Sequence, residues 1–96
     1  MKLILKDFGA IISDQTSGDL IYNKIKEILS KNENCIVDFD NVKSMATFNA
    51  KQIFGRLYLE LGSDVFFQKL QLENVSDDLR LIIRLGIQSA IEDSDR

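Results

Sequence analysis

Thr47 and Ser44 are the hydroxyls best placed for chemistry in this chain, because of where they fall. Upstream lies the apolar run Cys35-Ile36-Val37, which ends in the string Asp38-Phe39-Asp40-Asn41. Downstream, an amphipathic stretch begins near Met45 or Ala46. A hydroxyl at the start of a helix, just past the C-terminal end of a strand, is where an α/β domain presents a site. The plain structural role for either oxygen is to cap the helix, accepting from an orphan N–H of its first turn. The functional role is contact with a partner brought to that end of the sheet.

Other residues offer weaker chemistry. Asp38 and Asp40 stand two apart at a strand end, so both carboxylates can point one way, as a Mg²⁺ site requires. The simpler expectation is that Asp38 bonds loop amides and Asp40 opens a turn. Residues Ser13–Gly18 are polar with one glycine, but they lack the glycine spacing and the lysine of a phosphate-binding loop. They read as the lead-in to a helix. The chain has no His, which removes the usual general base and the commonest metal ligand, and with them serine triads and zinc sites. Cys35, the only cysteine, falls in an apolar run and reads as buried. No catalytic residue, metal ligand or cofactor is expected, and the chain reads as a non-enzyme.

The 96 residues suffice for one domain, set at 1–92 with a polar tail at 93–96. A net charge of -3, with dispersed basic residues, speaks against nucleic acid as a partner. The opening Met1–Gly9 holds too short an apolar run for a signal peptide, and no stretch approaches the ~20 apolar residues of a membrane span. One cysteine cannot form an internal disulfide, which fits a reducing compartment. The expectation is a soluble, cytoplasmic protein without membrane contact.

Strand and helix patterns alternate along the chain. Lys2–Phe8 alternates in hydropathy, and its lysines suit an edge strand. Ala10-Ile11-Ile12 follows as a short second strand. Thr16, Ser17 or Asp19 then caps a helix carrying Leu20, Ile21, Ile25, Ile28 and Leu29 to about Ser30. Cys35–Phe39 reads as a central strand buried on both faces. The next helix turns Ala46, Ala50, Ile53, Phe54, Leu57 and Leu61 inward and stops at Gly62. Val65–Leu72 reads as a further strand. Asn74 or Ser76 opens the last helix, whose inner stripe is Val75, Leu79, Ile82, Ile83, Gly86, Ile87 and Ala90. A glycine inside that stripe implies close packing. Tyr58 and Phe67 are expected on an exposed patch, and Asp77, Arg80 and Arg84 in a solvated charge lattice. The β(β)αβαβα order defines an α/β fold with helices packed on a small mixed β-sheet. A homodimer through the edge strand Lys2–Phe8 stays open.

On these residues the chain resembles a known family. Asp38-Phe39-Asp40-Asn41-Val42, followed by Met45 and Thr47, is similar to the phosphoacceptor region of STAS domains, the anti-sigma factor antagonists. There a strand ending Asp-Leu-Ser-x-Val leads to Met-Asp-Ser-Ser-Gly and a helix. An ungapped match sets Thr47 on the serine that a partner kinase phosphorylates, Ala46 on the preceding aspartate and Asn49 on the glycine. The chain resembles more closely the STAS-like domain family of unknown function. That match runs through Asp38-Phe39, Val42, Thr47-Phe48, Phe54-Gly55-Arg56-Leu57 and Leu72-Glu73-Asn74-Val75, over roughly residues 2–92. It departs from the family at Lys51, where an acid is usual, and at Asp14, where a base is usual.

The resemblance implies a non-catalytic regulatory switch module of a bacterial-type cell, docking a histidine-kinase-like ATPase. Its docking face would comprise Asp40, Lys43, Ser44, Thr47, Phe48 and Lys51, with Thr47, or failing that Ser44, as phosphoacceptor. A phosphate adds roughly -2 charge and three acceptor oxygens. A helix N-terminus tolerates that charge, and Lys43 and Lys51 are near enough in sequence to pair with it. The alternative is a constitutive acidic inhibitor or structural subunit that blocks another protein's surface without phosphorylation.

Overall fold

The apolar run Cys35–Asp38, β3, is the centre of the fold. The computed structural model of the chain describes residues 1–95. On one side β3 pairs with β1 (Lys2–Ile4), on the other with β5 (Leu70–Glu73), both parallel. A second, two-stranded parallel sheet joins β2 (Ile11–Ile12) to β4 (Ser44–Met45). Four helices complete the described residues: α1 (Gln15–Lys31), α2 (residues 47–61), α3 (Ser63–Lys69) and α4 (Asp77–Ser94). The α/β class is as expected, and the sheet is parallel throughout. Each strand reaches its partner through a helical crossover, and a crossover returns the chain to the same end of the sheet.

The central strand is fully buried on one face, while on the other Asp38 is buried and Ile36 half-buried. Leu3, Cys35, Val37 and Leu70 share the first face and lie in the core. The opposite face carries Lys2, Ile4, Ile36, Asp38, Gln71 and Glu73, and much of it meets solvent: Ile4 is 39% exposed. Parallel sheets are normally covered on both faces. Here a polar cluster takes the place of a second helical layer. Lys2 pairs with Glu73 at 3.0 Å and approaches Asp38 at 3.8 Å, while Asn74 Nδ2 donates to Asp38 Oδ1 at 2.8 Å.

Three expected elements take other forms. The strand from Lys2 ends at Ile4 and continues as a 3₁₀ turn, Leu5–Phe8. Ile4 sits opposite Asp38, where β3 ends, so the residues after it have no ladder to join. Val65–Leu72 is not one strand: its first part lies in α3, and only Leu70–Glu73 is extended. Gly62, at φ 84°, turns the chain back so that Phe66 and Phe67 stack edge-on against Tyr58, with ring centroids 5.5 and 6.3 Å away. Local β preference yields to that packing. At the other end of the chain α4 runs to Ser94, and Lys51 pairs with Asp93, so residues 93–94 are part of the packed helix.

Two caps set the long helices. Asp14 accepts from Ser17 N at 2.9 Å, so α1 begins at Gln15, earlier than Thr16, Ser17 or Asp19 would have it. Ser76 accepts from Leu79 N at 3.2 Å and opens α4 as expected. Ser76→Ala should cost about 1 kcal/mol of stability, since it orphans a first-turn N–H. Urea unfolding measures this, and an unchanged midpoint would mean solvent serves that N–H equally well.

Helices α2 and α4 make the most extensive helix contact in the chain. They cross backbone to backbone. A Cβ on Gly86 would lie 2.6 Å from Ala50 C and Lys51 N; one on Gly55 would lie 2.8 Å from Ala90 Cβ. At this crossing α2 widens into a π-helical turn, Lys51–Gly55, which turns the consecutive residues Ile53, Phe54 and Gly55 all inward.

Candidate docking surface at the start of the second helix

The second sheet decides where α2 begins. Lys43 N donates to Ala10 O at 2.8 Å and Ala46 N to Ile12 O at 2.8 Å, so residues up to Met45 are held as strand. Ala46 becomes the N-cap and Thr47 the first helical residue. Ala46 has no side-chain acceptor, and no side chain caps this helix. The expected capping role of Thr47 or Ser44 is therefore corrected. The β-pairing places Ser44 too early, and Thr47 lies already inside the helix. The Thr47 side chain is exposed and Ser44 half-buried, and neither hydroxyl bonds to another described residue.

Phe48 follows, 52% exposed. It opens an apolar groove of about 470 Å³ between α2 and the end of α4, walled also by Leu59 and Ala90 with Lys51, Arg56 and Asp93 at its rim. Arg56 is itself held, its guanidinium 4.1 Å from the centre of the Tyr22 ring. The Lys51 ammonium is taken up by Asp93, so it does not stand free beside Thr47. Asp40 and Lys43 are exposed on the loop leading to β4. Of the six residues expected at a docking face, Phe48 and Lys51 line the groove, Thr47 precedes Phe48 directly, and Asp40, Lys43 and Ser44 belong to the preceding loop and β4.

The acids take their plain roles. Asp38 Oδ1 accepts from Asp40 N at 2.9 Å and from Asn74, which ties the turn after β3 to the turn after β5. Asn41 and Asn74 adopt left-handed backbone in those turns, with φ of 64° and 56°. No group of three or more His, Cys, Asp or Glu able to hold a metal ion occurs among the described residues.

Asn74, followed by the Asp40 N–H, holds the Asp38 carboxyl below its ordinary pKa, and the Ser17 N–H does the same for Asp14. A carboxylate whose folded pKa is depressed stabilises the fold above its unfolded pKa, and that contribution is lost as pH falls through the folded value. Stability should therefore hold down to about pH 4 and decline below it. Asp38→Asn should flatten the decline. Urea midpoints from neutral pH to about pH 3 check this, and an acid slope identical in the variant would remove Asp38 as a cause.

Asn49 is the polar residue that sequence reasoning missed. It is fully buried in the first turn of α2. Its Nδ2 donates to Asp14 O at 2.8 Å and to Gln52 Oε1 at 3.1 Å, and its Oδ1 has no partner. Gln52 Nε2 in turn donates to Gln15 O at 3.0 Å and Asp19 Oδ1 at 2.8 Å. Gly18 leaves the space for both side chains. The start of α2 is thus keyed to the start of α1, and the turn bearing Thr47 and Phe48 is held firmly.

A small parallel α/β layer, with an exposed hydroxyl at the first turn of a helix after the central strand, defines the class of the molecule. A family model described as a STAS-like domain of unknown function (DUF4325) matches residues 17–80. The chain belongs to that family. No curated protein and no solved structure matches it. No helix among the described residues is long and apolar enough to cross a membrane.

Proposed function

We propose that the domain is a non-catalytic, regulatory interaction module of a bacterial cytoplasm, similar in action to anti-sigma factor antagonists. It docks a histidine-kinase-like ATPase through the first turns of α2 and the loop before it. One observation carries the reading. Thr47, exposed and without a capping duty, stands next to a half-exposed Phe48 at the mouth of an apolar groove. Phe48 serves as the anchor, and Thr47 is the hydroxyl a kinase reaches. A phosphate on Thr47 would sit at a helix N-terminus, which accepts its charge, so the fold persists while the surface changes.

The test is co-purification from the source cell with wild type, Thr47→Ala and Thr47→Glu, read by mass spectrometry of partners and phosphosites. The switch predicts an ATPase-type partner held by wild type and Thr47→Ala and released by Thr47→Glu. A second reading, the constitutive acidic inhibitor, draws support from Lys51, which pairs with Asp93 and leaves a Thr47 phosphate without that cation. It predicts the same partner on all three forms, no phosphate on Thr47, and binding that weakens with salt.

A further inference from the structure

Helix α4 carries a second surface, which shares no lining residue with the groove at Phe48. Arg80 and Arg84, one turn apart, flank a cleft of about 280 Å³. Leu72 and Ile83 line it, and Phe67, 67% exposed, stands at its edge. Leu81 and Leu85, 51% and 47% exposed, each follow one of the arginines in sequence and lie outside the cleft. The expected charge lattice does not form. Asp77 lies one turn before Arg80 without pairing with it, and neither arginine has an ion-pair or hydrogen-bond partner among the described residues.

Lys6, Lys43 and Lys69 likewise have no carboxylate partner among the described residues, but none of them lines this cleft. With 15 acidic residues against 12 basic ones, the chain supplies carboxylates to Lys2, Lys24, Lys26, Lys31, Lys51 and Arg56. Two guanidiniums bare of carboxylate, beside an exposed Phe side chain and an apolar cleft, form a basic and apolar patch on an acidic protein. Guanidinium is weakly hydrated and matches a carboxylate with two parallel hydrogen bonds. Arg80 and Arg84 lie four positions apart, which puts their Cβ atoms about 5–6 Å from each other. Two carboxylates one turn apart on a facing helix have the same spacing.

We infer that this face docks an acidic amphipathic helix of a partner protein, its carboxylates on Arg80 and Arg84 and an apolar side chain between Phe67 and Ile83. The charge complementarity selects this occupant over a second copy of the chain, whose matching face would bring arginine against arginine. The site is independent of Thr47, so each proposal stands or falls alone.

The test is selection from a randomised helical peptide library displayed on phage, with the wild-type domain as bait. Enriched peptides should carry Asp or Glu pairs three or four positions apart beside an apolar residue. In fluorescence anisotropy they should bind about tenfold or more weakly to Arg80→Glu/Arg84→Glu, and lose affinity in high salt. Both arginines are exposed, so circular dichroism should show the double variant folded; if it is not, Phe67→Ala must give the same loss. Neutral or basic consensus peptides, no enrichment at all, or binding that survives these substitutions would overturn the inference. So would sedimentation showing that the wild-type domain self-associates through this face.

Discussion

Gly86→Ala should lower the melting temperature by about 5–15 °C, as expected for a net loss of ~1–2 kcal/mol in a domain of this size. Two effects oppose each other. Alanine in a helix interior is favoured over glycine by about 1 kcal/mol. Against that, the new methyl would fall 2.6 Å from backbone atoms of Ala50 and Lys51, which no rotamer change can move. Helices α2 and α4 would have to separate, and overpacking of this kind typically costs about 1–3 kcal/mol, occasionally more. Gly18→Ala is the control. Its methyl would meet Gln52 Oε1 at 1.8 Å and Asn49 Nδ2 at 2.8 Å, both of them ends of side chains and not backbone, and the half-buried Gln52 can swing away. Lost hydrogen bonds and gained helix propensity should then nearly cancel, within about 1 kcal/mol. Thermal unfolding of both variants decides the matter: a Gly18 variant more damaged than the Gly86 variant would refute the view that backbone contact holds the crossing.

Thr47→Glu should weaken the proposed ATPase complex at least about a hundredfold while leaving the domain as stable as wild type or slightly more so. The two halves of that expectation have different causes. In the free domain the carboxylate would sit on the first residue of a helix that has no side-chain cap, where negative charge contributes about 0.3–1 kcal/mol. In the complex the same charge would be buried against a partner with Lys51 already paired to Asp93, and a buried unpaired charge costs several kcal/mol. Thr47→Ser keeps the hydroxyl and should bind as wild type does. Calorimetric titration with the co-purified partner, beside melting curves, separates the effects. Equal affinity for the Glu and wild-type forms would place Thr47 outside the interface.

How far the sequence could be read depended on where each residue's partners lie. Helix α2 was legible because Ala50, Ile53, Phe54 and Leu57 repeat at the helical period, and Gly86 was legible as a glycine out of place in an apolar stripe. The first part of Val65–Leu72, through Lys69, was misread as strand because Phe66 and Leu70, four apart, satisfy both periods, and the stack on Tyr58 that chooses between them has no local signature. Asn49 gave no signal of its burial. Its reason for being buried lies in Asp14 and Gly18, more than 30 positions earlier. The loop acids were read correctly because Asx-type turns are local. Arg80 and Arg84 were read as part of a solvated lattice because Asp77 is near in sequence, and nearness in sequence did not become contact.

The register of the sheets has a consequence for how the chain comes to its native state. Lys2 pairs with Ile36, Ile11 with Ser44, and Cys35 with Leu70, so every ladder joins residues 33–35 positions apart. No hairpin exists among the described residues to nucleate a sheet, and each closure must meet the loop entropy of a whole helical crossover first. During synthesis β1 waits without a neighbour until β3 has emerged, and β3 then waits with one free edge for β5. The Gly55–Gly86 crossing closes later still. Folding should therefore be slow for a domain of this length, with its central strand left as an open edge in the interval, and the nascent chain is the form most exposed to aggregation.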